Sequence, residues 1–127
     1  MQEQFKRTSL LIGDEGINKL NGARVAIFGI GGVGGYVCEA LARSGVGTFD
    51  LIDNDVVSES NINRQIIATH KTIGIPKVLA MKERILSINP NANVNVFQEF
   101  VLNQDSCREV LRLFQIVRSQ NIFGFVP

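Results

Sequence analysis

The stretch RVAIFGIGGVGG, residues 24–35, decides the fold. Arg24 to Ile30 is β-branched and apolar almost throughout, the pattern of a strand buried on both faces of a parallel sheet. It runs into Gly29-Ile30-Gly31-Gly32-Val33-Gly34, which satisfies G-x-G-x-x-G, and then into VCEALARSG. There Val37, Ala40 and Leu41 carry helical spacing, and Gly45 is a C-terminal stop. In such a strand–turn–helix the first glycine permits the tight turn. The second admits phosphate to the backbone, and the third brings helix and strand close. The opening of the helix presents N–H groups and a positive dipole end to an anion.

Downstream the same two periods alternate. Thr48 to Ile52 predicts a second short strand ending at Asp53. A polar loop follows, then a helix from about Lys77 to Ile88 with Val78, Met81, Ile85 and Ile88 on one face. Asn89-Pro90-Asn91 breaks that helix. Val94 to Phe100 predicts a third strand, and Ser106 to Leu113 another helix. The order implies an α/β fold, a Rossmann-like doubly wound and mainly parallel sheet. We divide this single domain into an N-terminal helical segment, 1–23, a βαβ core, 24–113, and an atypical tail, 114–127. Phe114–Val117 is the tail's candidate strand. Little chain remains after it to cover a sheet edge, so the domain is expected to be incomplete at its C-terminus.

Composition narrows the classes. A length of 127 residues suits one domain with a true core. Thirteen basic and twelve acidic residues leave a net charge of +1, so any nucleic-acid-binding surface would have to be local. The two cysteines, Cys38 and Cys107, are too few and too dispersed for a disulfide framework or zinc site, and read as buried thiols. His70, in the polar turn THKTIG, reads as solvated. No run reaches membrane-spanning length and no signal peptide opens the chain, so a cytoplasmic protein without membrane attachment is expected.

Asp53 lies about twenty residues past the glycines, where an acid accepts hydrogen bonds from ribose hydroxyls. Those features alone would suit NAD. Asn61-Ile62-Asn63-Arg64-Gln65 and Gly74-Ile75-Pro76-Lys77 point to ATP instead. A triphosphate carries more charge than a dinucleotide's pyrophosphate and calls for fixed cations. Arg64 could clamp phosphate oxygens through its planar fork, and Lys77 could supply a point charge. Pro76 suits the first turn of a helix and would fix the position of the lysine.

GIGGVGG, LIDND, NINRQ and GIPK in this order and spacing resemble the ThiF/MoeB superfamily, adenylating domains related to ubiquitin-activating enzymes. The resemblance covers about Gln4 to Phe100. It implies that Gly29, Gly31, Gly32, Gly34 and Asp53 hold ATP, with Asp55 following in the D-x-D pair. It implies also that Asn61, Arg64, Gln65 and Lys77 contact the phosphates and help to stabilise the transition state. Within the superfamily, QFKRTSLLIG, ALARSGVG, INRQI and MKERILSINP are most similar to the tRNA threonylcarbamoyladenosine dehydratases. Those enzymes spend ATP to activate a carboxylate on a modified adenosine of tRNA, which then closes to a cyclic ester. By that likeness tRNA is the expected substrate and a homodimer the expected assembly. Arg7 is then the arginine that reaches a neighbouring subunit's ATP site.

The chain also departs from the family. No aspartate follows Leu113 in the place where the family uses one to position Mg2+ and the α-phosphate, and Asp55 is the nearest substitute. Gly35 stands where a serine is usual. The family's second half, with its acceptor-substrate contacts, is absent, so a truncated or frame-altered chain is expected. Two other outcomes compete: an NAD-binding oxidoreductase domain, and a remnant that binds nucleotide without turnover.

Overall fold

The computed structural model describes residues 2–99 and 122–125. After a 3-10 turn at Glu3–Phe5 come α1 (Lys6–Asn21), β1 (Arg24–Phe28), α2 (Gly32–Ser44) and β2 (Thr48–Ile52). A second 3-10 turn at Glu59–Asn61 precedes α3 (Lys77–Ile88), β3 (Asn93–Phe97) and β4 (Ile122–Phe125). α1 is helical on both sides of a break at Gly13, whose φ of 74° is one that glycine adopts without strain.

All three strand pairings are parallel, in the order β3-β2-β1-β4. The chain therefore steps outward from β1 through β2 to β3, and β4 lies on the far side of β1. This reversal marks the switch point of a doubly wound sheet, where ligands bind beyond the carboxyl ends of the strands. Alternation divides the strands between two faces. Val25, Ile27, Phe49, Leu51 and Val94 join Cys38, Ala42, Val78, Met81 and Ile85 of the helices in one buried apolar cluster. The other face carries Ala26, Phe28 and Ile52, also buried. On that face Arg24 grips Asp50 through two bonds, Nε to Oδ2 at 2.6 Å and Nη2 to Oδ1 at 3.0 Å, while Asn95 donates to Oδ1 at 3.0 Å. An aspartate in a core strand is thus paired across three strands. Its bond to Asp50 raises the pKa of Arg24 against the opposing effect of burial.

The structure moves some expected boundaries. β1 stops at Phe28 rather than Ile30, because Gly29 turns the chain with φ 92°. α2 begins at Gly32, since the last glycines of the motif are themselves its first turn. Its buried side is Gly34, Gly35, Cys38, Glu39 and Ala42, with Val37 and Leu41 partly buried against the core, whereas Ala40 is exposed. β2 and α3 have the expected ends. A fourth parallel strand forms at Ile122–Phe125, inside the tail read as atypical. The helix expected at 106–113 and the strand expected at 114–117 lie outside the described residues.

Candidate functional site

Four pieces of chain converge beyond the carboxyl ends of β1 and β2. Gly29 donates its N–H to the Ile52 carbonyl at 2.8 Å, which ties the glycine loop to the end of β2. Asp53 follows directly, and its Oδ2 accepts the N–H of Ile30 at 2.6 Å while Oδ1 accepts that of Asp55 at 2.7 Å. The residues after Asp55 pair with those before Lys77. Val57 donates to Ile75 at 2.9 Å, Val56 bridges Pro76, and Lys77 donates its N–H to the Asp55 carbonyl at 2.9 Å. The fourth piece is the turn at Asn61–Ile66, which packs over the start of α2.

The glycines differ in what requires them. A Cβ at Gly34 would lie 1.9 Å from the Gly29 carbonyl oxygen, so the fold itself demands glycine there. At Gly32 a Cβ would meet nothing within 4 Å, and at Gly31 only the Gln65 amide nitrogen at 3.9 Å. Neither has a positive φ. Among the described residues, close packing does not explain these two. The first N–H groups of an α-helix have no partner inside it, and no side chain caps α2. Gln65 is buried, and among the described residues its Oε1 has no hydrogen-bond partner. A buried amide oxygen without a partner is costly, and it is the Nε2 of this amide that faces Gly31, 3.9 Å from where a Cβ would stand.

Lys77 is buried, although a lysine considered singly would be expected in solvent. It is the first residue of α3, with Pro76 immediately before the helix. Its Nζ lies 3.7 Å from Asp55 Oδ2, and Asp55 itself is exposed. The backbone bond from Lys77 N–H to Asp55 thus fixes where this lysine enters α3. Arg64 behaves differently. Its guanidinium folds back onto its own turn, donating to the Ser60 carbonyl at 3.3 Å and Asn63 Oδ1 at 2.8 Å, and remains exposed. Asn61 is committed locally, its Oδ1 accepting the Ser58 N–H at 2.9 Å in a reciprocal capping box.

Arg7 is not brought to this site. Phe5 packs beside Gly45, at the end of α2 opposite the glycine loop. Thirteen residues of helix separate the two ends, about 20 Å. Among the described residues no group of three or more His, Cys, Asp or Glu could hold a metal ion. Cys38 is buried in the core, and burial pushes its thiol up to about 12, which keeps it an unreactive thiol. Cys107 lies outside the described residues, and His70 is exposed. No helix among the described residues is long and apolar enough to cross a membrane.

Two contributions go beyond what the motifs convey. The Ile30 N–H as partner of Asp53 is one, for which the strand-end position of the acid was the only signal. Gly35 is another: a Cβ there would come 3.2 Å from Ile66 Cγ2, so a small residue keeps the 61–66 turn close to α2.

A family model described as the ThiF family matches residues 5–119. The tRNA threonylcarbamoyladenosine dehydratase of Bacillus subtilis (strain 168) is 49% identical over 100 residues, covering 79% of this chain and 39% of that protein. The crystal structure of E. coli tRNA N6-threonylcarbamoyladenosine dehydratase in complex with ATP superposes with a TM-score of 0.84 at 35% identity. It covers 98% of this chain and 49% of that one. E. coli MccB with ATP gives a TM-score of 0.77 at 28% identity, over 87% of this chain and 35% of that one. The chain thus spans at most about half the length of these relatives.

Proposed function

The chain belongs to the ThiF family, and from that premise we propose that its glycine loop binds ATP as the nucleotide-holding part of an adenylating enzyme. One observation carries this reading: at the uncapped start of α2, a Cβ at Gly32 would meet nothing within 4 Å among the described residues, and one at Gly31 only the Gln65 amide nitrogen at 3.9 Å. The solved relatives that hold ATP on the same fold support the choice of nucleotide.

The acceptor is a carboxylate, by likeness to the dehydratases that of the threonylcarbamoyl group on a modified adenosine in tRNA. A carboxylate is a poor electrophile until one of its oxygens becomes part of a good leaving group. Its oxygen attacks the α-phosphorus of ATP, and the bond from that phosphorus to pyrophosphate breaks. Pyrophosphate leaves with the electron pair, and the acyl-adenylate can then close to a cyclic ester with release of AMP. The protein orients these groups and meets the charge that gathers on the leaving phosphates. The backbone around Gly29, Gly31, Gly32 and Gly34 cradles phosphate, Asp53 accepts the ribose hydroxyls, and Lys77 supplies the fixed cation. Arg64, Asn61 and Gln65 complete the phosphate contacts, which requires the Arg64 side chain to leave its own turn. Mg2+ commonly binds through one or two carboxylates plus substrate phosphates. Asp55, exposed beside Lys77, fits that habit and would hold it, supplying further charge neutralisation. Arg7, remote from its own loop, would serve the loop of a second copy in a homodimer. Such an enzyme would work in the cytoplasm.

Calorimetric titration of the purified chain with ATP, AMP and NADH, with and without Mg2+, tests the reading. ATP is expected to bind and NADH to bind more weakly. Tighter binding of NADH would overturn the assignment. Arg64→Ala is expected to weaken ATP but to leave adenosine unchanged, and equal losses for both ligands would remove Arg64 from the phosphate site.

A further inference from the structure

Both carboxylate oxygens of Asp53 already hold backbone N–H groups, one of them belonging to the glycine loop. Oδ2 accepts from Ile30, 23 residues upstream, at 2.6 Å, and Oδ1 accepts from Asp55 at 2.7 Å. Ile30 sits between Gly29 and Gly31. Flanking glycines give that short segment a wide choice of conformations, so its shape depends on what ties it down. Gly29 is anchored to Ile52, and the Gly31 carbonyl accepts from Gly35 as α2 begins. Between those anchors, the bond to Asp53 fixes the orientation of the Gly29–Ile30 peptide. Its acceptor is a carboxylate, and hydrogen bonds to ionised acceptors are short and strong.

We propose that Asp53 positions the phosphate-binding backbone, in addition to serving as a ribose acceptor. By holding the Ile30 N–H it sets the course of the chain into Gly31 and Gly32, and with it the direction of the N–H groups that would meet phosphate. This inference rests on the reading of the loop as a triphosphate site. Both roles fit one side chain, because a carboxylate offers about four lone-pair sites and the two backbone donors leave others for hydroxyls. The consequence runs against simple electrostatics. Removing a negative charge beside a phosphate site should tighten phosphate binding, whereas loss of a positioning bond should weaken it.

Tripolyphosphate separates the two, since it carries no ribose. It is titrated into the unaltered chain and into Asp53→Asn, with ATP in parallel and a thermal melt to show that the variant folds. The side-chain oxygen of asparagine can replace only part of the carboxylate's double contact. Tripolyphosphate is expected to bind about tenfold more weakly to the variant, the scale of one hydrogen bond to a charged group. The amide proton of Ile30 or Asp55 is expected to move upfield in the NMR spectrum while the amides of β1 stay in place. Tripolyphosphate binding that is unchanged or tighter in a folded variant, with ATP weakened, would confine Asp53 to the ribose and overturn the proposal. A second measurement needs no variant: in the nucleotide-free chain the Ile30 amide is expected to be protected from hydrogen exchange, and exchange at the rate of an open amide would overturn it too. If the unaltered chain binds neither ATP nor tripolyphosphate, the reading of the loop fails and the inference fails with it.

Discussion

The two ends of α2 handle polar groups in opposite ways. At the C-terminal end the chain supplies partners from within itself. Gly45, with φ 102°, donates to the Ala42 carbonyl at 3.2 Å, and Val46 donates to Leu41 at 3.1 Å, so two of the last four carbonyls of the helix are satisfied. Glu39, two turns into α2, accepts two bonds from Arg84 of α3, at 2.6 and 3.0 Å, and one from Arg43 at 2.9 Å. Among the described residues, the N-terminal end has no side-chain cap, nothing within 4 Å of a Cβ at Gly32, and beside Gly31 the buried Gln65 amide, whose oxygen has no partner. Where a fold completes its own hydrogen bonds, the residues serve stability. Where the described residues leave them incomplete, stability within the fold is not their explanation, and that is the end at which the proposed nucleotide would bind.

Glycine substitutions test this contrast most severely. Gly34→Ala would drive a methyl to 1.9 Å from a backbone oxygen, which no rotamer change relieves. We expect a loss of about 3 kcal/mol or more, with the chain failing to fold at 37 °C in the worst case. Gly32→Ala is expected to do the reverse. The methyl meets nothing within 4 Å, and alanine is the better helix former, so the melting temperature should hold or rise slightly. ATP affinity should nevertheless fall, because the methyl occupies space reserved for phosphate. Melting curves and titrations on both variants check this. A Gly32→Ala chain that binds ATP normally would break the claim that the open space belongs to the ligand.

Lys77→Ala comes next in size. Its side chain is buried, and the residue's place at the start of α3 is fixed by its backbone bond to Asp55. Charge-assisted bonds to phosphate are worth roughly 1.5–3 kcal/mol, so ATP should weaken about 10- to 100-fold and adenosine little. Asp55→Asn sharpens the point. If Asp55 only competes for Lys77, ATP without Mg2+ should bind the variant more tightly, and if it helps to hold Mg2+, the benefit of adding Mg2+ should shrink. Unchanged binding in both conditions would remove Asp55 from the site.

What the sequence made legible follows from what is local. The glycine loop, Asp53 and the start of α3 at Lys77 are coded by spacing within short segments, and the structure joins the first two through one hydrogen bond. β2 could be read to its ends because a short run, β-branched or apolar except at Asp50 and bounded by Gly47 and Asp53, leaves little freedom. The pairs that tie elements together could not be read. Glu39 with Arg84 lie 45 residues apart and Arg24 with Asp50 lie 26 apart, and no local pattern specifies such partners. The burial of Lys77 depends on the pairing of residues 55–57 with 74–77, also a tertiary matter. Arg64 shows the limit on a smaller scale, since its place in the motif says nothing of which way an exposed guanidinium points. β4 was missed for another reason. Ile122–Phe125 is a four-residue run containing a glycine, too short for periodicity to separate strand from loop.

Glu39→Gln is the mildest change and bears on the independence of the two ends. The bonds from Arg84, and then from Arg43, hold the Glu39 carboxyl below its ordinary value of 4.5, against the opposing effect of partial burial. A carboxylate with a lowered folded pKa stabilises fully above its unfolded value, and that contribution is lost as pH falls through the folded one. The Glu39 contribution should therefore be complete at neutral pH and decline below about pH 4.5. Both arginines are substantially exposed, which places the expected loss at about 1 kcal/mol at pH 7, nearer to a surface pair than a buried one. Denaturant titrations across pH should show the variant less stable at neutral pH, with the difference from the unaltered chain vanishing in acid. ATP affinity should not move, because the ion pairs lie toward the far end of α2 and the loop is held by Asp53 and Ile52. A parallel loss of ATP binding at pH 7 would mean that the packing of α2 on α3 sets the loop as well, and the two ends of the helix would have to be treated as one unit.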